Sequence, residues 1–243
     1  MGAVGVAIPA WNEAESIGAV VREILTGPFP VAEVVVADGG STDGTAEVAA
    51  RAGARVVAPG PGYGRACLAA ALALAGCEVV VFMDGDGADD PGHIPDLAGP
   101  VLAGHQDFVV GSRVRGRRAQ GAMAWHQVLA GRLAGLAMAR LYGAAYTDMC
   151  AFRAIRRERL LALGMREMTY GWNLEMQMRA ARAGLRVLEV PVDGRLRIGG
   201  ASKVAGTLRG SVRAGGQIAA TMLRVARDGS AVEPARDHGG RTG

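Results

Sequence analysis

The chain has 243 residues, half of them hydrophobic and about a fifth charged, the composition of a folded globular protein and not of a disordered one. Aromatic side chains make up only 5%, which argues against a single-stranded nucleic-acid binder built on stacking platforms, so no nucleic-acid partner is expected. The net charge of +4 divides unevenly: residues 1–110 carry 14 acidic side chains against 4 arginines, and residues 111–243 carry 23 basic against 9 acidic. That is either a pair of differently solvated surfaces or an acidic half suited to a cation beside a basic half suited to anions.

In chain order, Val4–Ala10 is a short apolar run that reads as a strand. The segment 12–25 follows with Ile17, Val20, Val21, Ile24 and Leu25 on one helical stripe. Strands are expected at 31–38, 54–59 and 78–84, separated by helices over 41–53 and 64–76. Continuous hydrophobic strands between helices of about a dozen residues imply a parallel sheet covered on both faces. Beyond residue 110 the pattern loosens. A strand is expected at 108–113, a long helix at 121–143, a helix at 172–184, a strand ending at Pro191, and an apolar helix with spaced arginines over 204–226. Residues 227–243 have no periodicity and read as a flexible tail.

In an open α/β sheet, ligands sit beyond the carboxyl ends of the strands. Asn12 and Glu13, Asp38, and Asp84 with Asp86 stand at three such ends. Continued strand geometry would aim Asp84 and Asp86 the same way at roughly 7 Å, with repulsion on the order of 2 kcal/mol at an effective dielectric near 20. A solvated loop could turn them apart, but a strand tip with Asp89 and Asp90 following favours a divalent cation, Mg²⁺ or Mn²⁺, on hard carboxylate oxygens. Such a cation completes its shell with substrate phosphates, which points to a nucleotide diphosphate. Neither a Walker-type loop nor a dinucleotide glycine fingerprint is present. The stretch "GPGYGRA" at 60–66 is either a phosphate cradle or a flexible loop. The odd set Cys67, Cys77 and Cys150 lacks ligand spacing and reads as reduced, buried thiols. No charged-then-apolar leader and no apolar run long enough to span a bilayer is seen.

Together "VAIPAWNEAESI", "VVVADGGSTDGTAEVA", "MDGDGADDP", "VVGSR", "FRAIRRE" and "GASK" resemble a family 2 glycosyltransferase of GT-A fold, most of all the dolichyl- and polyprenyl-phosphate sugar synthases, over roughly residues 3 to 226. The resemblance implies an α/β, Rossmann-like, mostly parallel sheet with helices on both faces. It also implies one domain over 1–226, with a nucleotide-sugar half at 1–110 and an acceptor half at 111–226. It places Pro9, Ala10, Glu13, Asp38, Asp84 and Gly85 around a UDP- or GDP-linked sugar, and Asp84 and Asp86 on the metal, where Asp86 assists departure of the diphosphate with inversion at the sugar. Arg113 and Arg153, with Ser202 and Lys203, would hold an acceptor phosphate, and Lys203 is the sole lysine of the chain. Ala88 stands where family members often carry Gln, and "MCAFR" replaces a glycine-containing turn, departures that bear on sugar and acceptor identity.

Glu175 matches the catalytic base of related transferases. A hydroxyl acceptor needs such a base, whereas a phosphate acceptor is already an anion, and a third reading is a helix-surface partner of Arg179. Trp125, Tyr170 and Trp172 are stacking candidates, Trp172 first, and His126 reads as an ordinary helix residue. The expected acceptor is a polyprenyl monophosphate at the inner membrane face of the cytoplasm, with 204–226 as a peripheral membrane contact; a homodimer is compatible. The alternatives are a soluble tailoring glycosyltransferase using Glu175 on a small-molecule or carrier-bound acceptor, and a nucleotide-sugar-binding protein without transfer activity. A nucleotidyltransferase is disfavoured because the first loop, "IPAWNEAES", is not glycine-rich.

Overall fold

A computed structural model describes residues 2–117 and 146–199, together with Gly135, Arg140, Thr221, Arg224 and Val225. Seven strands form one sheet: β1 (Val4–Ala10), β2 (Glu33–Asp38), β3 (Arg55–Val57), β4 (Val79–Phe82), β5 (Phe108–Ser112), β6 (Arg153–Arg156) and β7 (Val187–Pro191). Their order is β3-β2-β1-β4-β6-β5-β7. The first four are parallel, as the apolar runs imply, and β7 is parallel to β5. The sheet is mostly parallel, as expected; the exception is β6, which is inserted antiparallel between β4 and β5. Four residues with arginine at both ends carry too little alternation to announce a strand.

Among the described residues six helices pack on the sheet: α1 (Ile17–Thr26), α2 (Thr45–Arg51), α3 (Tyr63–Ala73), α4 (Ile94–Leu102), α5 (Arg157–Ala162) and α6 (Trp172–Arg182). Strand residues alternate between the two faces. Val4, Val6, Ile8, Val79 and Val81 meet Ile17, Val20, Val21 and Ile24 of α1 and Leu97 of α4. Ala7, Val35, Val80 and Phe82 meet Cys67, Ala70 and Ala71 of α3 and Trp172 and Met176 of α6. Both faces are therefore dry, the physical reason these strands read as unbroken hydrophobic strings. Leu25, counted on the apolar stripe of α1, is 41% exposed. The three cysteines are free and buried.

The fold also creates a crevice. Helices α1 and α2 lie on one face and α3 on the other, so the chain reverses its winding between β1 and its neighbour β4. The loops leaving the carboxyl ends of those two strands part at this switch point. The expected helix at 121–143, the motif Ser202–Lys203, most of 204–226 and the tail fall outside the described residues. Among the described residues no helix is long and apolar enough to cross a membrane.

Candidate active site

The crevice opens into a cleft of about 540 Å³ whose walls include Pro9, Ala10, Trp11 and Glu13 after β1, Gly39 and Gly40 after β2, and Asp84, Gly85 and Asp86 after β4. Hydrogen bonds between loops fix the first wall. Asn12, in a left-handed turn at φ 52°, accepts from Thr42 N at 2.9 Å. Its own N–H donates to Ser41 Oγ, while the N–H groups of Glu13 and Ala14 donate to Thr45 Oγ1 and Asp43 Oδ2. The segment "STDGT" thus serves as the fastening for "WNEA", which explains two polar clusters so far apart in sequence. The carboxylate of Asp38 is also committed here: it accepts from Ser41 N at 3.1 Å and from the Ser41 hydroxyl. Asp38 shapes the turn that presents Gly39 and Gly40, and is itself absent from the cleft wall.

The floor is the loop after β4. Ser16, fully buried at the start of α1, donates to the Gly85 carbonyl at 2.8 Å. A Cβ at Gly85 would stand 3.1 Å from Ile17 and 3.4 Å from Ile8, so a residue with no side chain lets the two aspartates sit close over the sheet. Asp84 accepts from the Tyr63 hydroxyl at 3.2 Å and donates its backbone N–H to Asp89 Oδ2 at 3.1 Å. Burial, then the neighbouring charges of Asp89 and Asp86, raise the Asp84 carboxyl to about 7. Burial raises Asp89 to about 6. Burial, with Asp84 beside it, also raises the Tyr63 phenol well above its ordinary value, so Tyr63 stays protonated and remains a donor.

Three carboxylates crowd the end of one strand, among the described residues only Asp86 of them in an ion pair, with Arg197, and a divalent cation would relieve that crowding; oxygen donors are what Mg²⁺ or Mn²⁺ prefers. Asp84 and Asp86 both line the cleft. Among the described residues no three His, Cys, Asp or Glu side chains close around a single point, so a cation here would take the rest of its shell from a ligand. The residues fit such an ion.

The raised acids have a consequence for stability. A carboxyl whose folded pKa exceeds its unfolded value binds its proton more tightly when folded, so stability is full at low pH and falls as pH climbs from about 4 to the folded value. Metal-free protein should lose about 1–3 kcal/mol between pH 5 and pH 8 from Asp84 and Asp89. Asp84→Asn should remove most of that slope in urea unfolding at the two pH values, and Mn²⁺ should restore more stability at pH 8 than at pH 5.

The residues expected on the acceptor side are placed differently from one another. Arg113, at the end of β5, grips Asp148 with both arms of its fork, Nε to Oδ2 and Nη2 to Oδ1 at 3.0 Å each, and its side chain remains 29% exposed. Arg153 lies in the interior. It begins β6 with no exposed surface. Its Nε and Nη2 donate to the Cys150 carbonyl and Nη1 to the Asn173 carbonyl at 3.0 Å, with the guanidinium 5.8 Å from the Phe108 ring centroid. Through those carbonyls this arginine ties β6 to α6 from inside the core.

Glu175 is interior as well. It is fully buried in the first turn of α6. One oxygen accepts from the backbone N–H groups of Arg166 and Glu167, at 3.0 and 2.6 Å, and the other from Arg179 Nε at 2.9 Å. The i+4 pairing with Arg179 was legible, but its burial was not. Trp172 is likewise interior, edge-on to Phe82 at 6.3 Å, and is no stacking platform. Tyr170 and Trp11, by contrast, line the cleft at 57% and 48% exposure. Trp125 and His126 lie outside the described residues.

Sequence reasoning missed three contributors. Tyr63 belongs to the "GPGYGRA" loop, of which Pro61, Gly62, Tyr63 and Ala66 all face the cleft, and an aromatic residue among glycines was the available signal. Glu167 fixes the loop carrying Thr169 and Tyr170 by accepting from Thr169 N, Thr221 Oγ1 and Arg224 Nη2. Arg197 lines the cleft and pairs with Asp86, Nη2 to Oδ2 at 3.0 Å; one arginine among many gives no sequence signal.

Comparison with known proteins agrees with this geometry. Residues 5–163 match the model of the family described as glycosyl transferase family 2. An uncharacterized glycosyltransferase of Mycobacterium tuberculosis is 42% identical over 215 residues, 86% of this chain and 93% of that protein. The dolichyl-phosphate hexose transferase of Haloferax volcanii is 35% identical over 202 residues, 81% of this chain and 84% of that one. Among solved structures, glucosyl-3-phosphoglycerate synthase from Mycobacterium tuberculosis, in complex with Mn²⁺, UDP-glucose and phosphoglyceric acid, superposes with a TM-score of 0.70 at 25% identity. That match covers 92% of this chain and 79% of that one.

Proposed function

Since the chain belongs to glycosyl transferase family 2 and is a glycosyltransferase of GT-A fold, we propose that its cleft takes a nucleotide-diphosphate sugar together with Mg²⁺ or Mn²⁺ and transfers the sugar, with inversion, to a polyprenyl monophosphate. The observation that carries the donor side is the pair Asp84 and Asp86 on the cleft floor, with Asp89 held against the Asp84 backbone N–H and Asp84 raised to about 7 by burial and these neighbouring charges. Asp84 and Asp86 would hold the cation. When bound there, it supplies the positive charge on which the diphosphate leaves.

The other roles follow from position. Pro9, Ala10, Glu13 and Gly85 wall the nucleotide, and Tyr63 keeps Asp84 oriented through its hydroxyl. Tyr170 and Trp11, exposed at the mouth, offer apolar faces that shield the reacting carbon from water. The acceptor half, 111–226, is strongly basic; Arg113 within it, with Ser202 and Lys203, is assigned to the acceptor phosphate, and the arginine-bearing stretch 204–226 to an anionic membrane surface.

A phosphate acceptor also accounts for Glu175. A phosphate monoester is largely ionised near neutral pH and attacks without a base, so the enzyme loses nothing by committing this carboxylate to its own backbone. The soluble alternative, a hydroxyl acceptor activated by Glu175, would have to reach a carboxylate that is fully buried and already accepts from Arg166 N, Glu167 N and Arg179 Nε. The relative named a dolichyl-phosphate hexose transferase supports the same acceptor class.

Calorimetric titration with UDP and with GDP, each with Mn²⁺ and with chelator, tests the donor side: one nucleotide should bind only with metal. With that nucleotide's sugar, product should form on polyprenyl phosphate and not on the matching polyprenol. Equal transfer to the alcohol would return the reading to a hydroxyl acceptor.

A further inference from the structure

The DGD loop does not face an open cleft on its outer side. Residues 193–198 run across it as a strap. Gly194 forms an isolated antiparallel bridge with Asp89, Arg195 N donates to the Ala88 carbonyl at 2.9 Å, and Ile198 N donates to the Asp86 carbonyl at 3.0 Å. Gly87 makes the close crossing tolerable: at φ +79°, a Cβ there would lie 2.5 Å from Ile198 Cδ1.

The two arginines of the strap are held unequally. Arg195 is clamped between two carboxylates outside the cleft, Glu23 and Asp90, at 2.7 Å each. Arg197 has Asp86 at 3.0 Å, on a side chain that is 38% exposed against 5% for the aspartate. Its neighbours Leu196 and Ile198 are 61% and 52% exposed, so little apolar burial holds this end down. The strap therefore has a fixed end at Arg195 and a releasable end at Arg197.

We propose that Arg197 is a tethered stand-in for the divalent cation: its guanidinium neutralises Asp86 while the donor is absent and must leave before a metal ion can take that oxygen. The inference rests on the donor reading above. Asp86 Oδ1 is engaged by the Ala88 N–H at 2.8 Å and Oδ2 by Arg197, so neither oxygen is idle. A dication on Oδ2 would stand within a few ångströms of the guanidinium, and like charges at that range repel strongly in a half-dry cleft. Free metal thus competes with Arg197, whereas metal arriving with a diphosphate brings the negative charge that lets Arg197 move off Asp86 and stay in the cleft wall. The device makes metal binding depend on donor binding, and keeps the acid cluster quiet without either.

The test is Mn²⁺ binding to the full chain without nucleotide, read from the loss of the free-ion electron paramagnetic resonance signal. Arg197→Gln should bind Mn²⁺ roughly fivefold tighter than wild type, the scale of a partly exposed ion pair. Arg197→Lys, which keeps the charge, should stay near wild type. With UDP added at saturation, the gap between Arg197→Gln and wild type should close. Unchanged or weaker Mn²⁺ binding by Arg197→Gln overturns the proposal, as does equal tightening by the lysine variant. Asp86→Asn separates the two readings: if it binds Mn²⁺ as wild type does, the metal site itself is wrong, and if it loses Mn²⁺ while Arg197→Gln is unchanged, only the latch fails.

Discussion

Asp86→Ala should abolish metal-dependent nucleotide binding and lower kcat/KM by on the order of 10³-fold or more, while leaving the protein folded. The size follows from what the residue does: it holds the charge that meets the leaving diphosphate, and single contributors of that kind are worth two to three orders of magnitude in rate. The retained fold follows from geometry. Asp86 is only 3% exposed, but it is one of the like charges that, after burial and Asp89, raise Asp84 to about 7, so its removal relieves repulsion in the metal-free state. Of the two partners left behind, Arg197 is 38% exposed and returns to water at small cost, and the Ala88 N–H gives up one hydrogen bond, a loss of about 1 kcal/mol that the relieved repulsion offsets. Thermal melting without metal should show Asp86→Ala at least as stable as wild type. Calorimetry with UDP and Mn²⁺ should show no binding above that measured in chelator. A variant that melts far lower would mean that Asp86 serves the fold first, and its lost activity would then say nothing about the metal.

What the sequence revealed, and what it hid, divides along a physical line. Runs such as Val79–Phe82 and Glu33–Asp38 were legible because a strand dry on both faces must be apolar throughout. Of the residues lining the cleft, Glu13, Asp84 and Asp86 were legible because strand ends in such a sheet are where ligands go, whereas Pro9, Ala10 and Gly85 were named only through the family resemblance. Asp38 occupied an equivalent end, yet a local competitor took its carboxylate: Ser41, three residues on, offered both a backbone N–H and a hydroxyl. Arg153 and Glu175 were legible as unusual but not as buried, because the groups that satisfy them come from other segments, Asn173 for the first and the 166–167 backbone for the second. A charged residue reads as interior only when its partners are known, and periodicity carries no information about them. Arg197 was hidden for a simpler reason, as one of 26 arginines in a chain with a single lysine.

Glu175→Gln should separate structure from chemistry. The carboxylate is fully buried, and its three close partners are all donors: two backbone N–H groups and the Arg179 Nε. Glutamine offers one acceptor oxygen and a donating NH₂, so one side of the exchange must set donor against donor, and Arg179, itself only 11% exposed, loses its counter-charge. Breaking a buried pair from one side costs about 3–5 kcal/mol. The loss should appear as a lower Tm and denaturation midpoint. The loop it anchors runs through Glu167, whose carboxylate holds Thr169, Thr221 and Arg224, and on to the cleft-lining Tyr170. Loosening that loop should raise the donor KM several-fold. At low temperature, with the folded fraction corrected for, kcat should stay within about threefold of wild type, because proton abstraction by this group contributes nothing. A general base would give the opposite pattern: unchanged stability and a kcat down by 10²–10⁴-fold. The two outcomes point to different acceptors. Preserved turnover means a nucleophile that arrives already charged, as a phosphate does, and lost turnover means a hydroxyl that the enzyme must deprotonate.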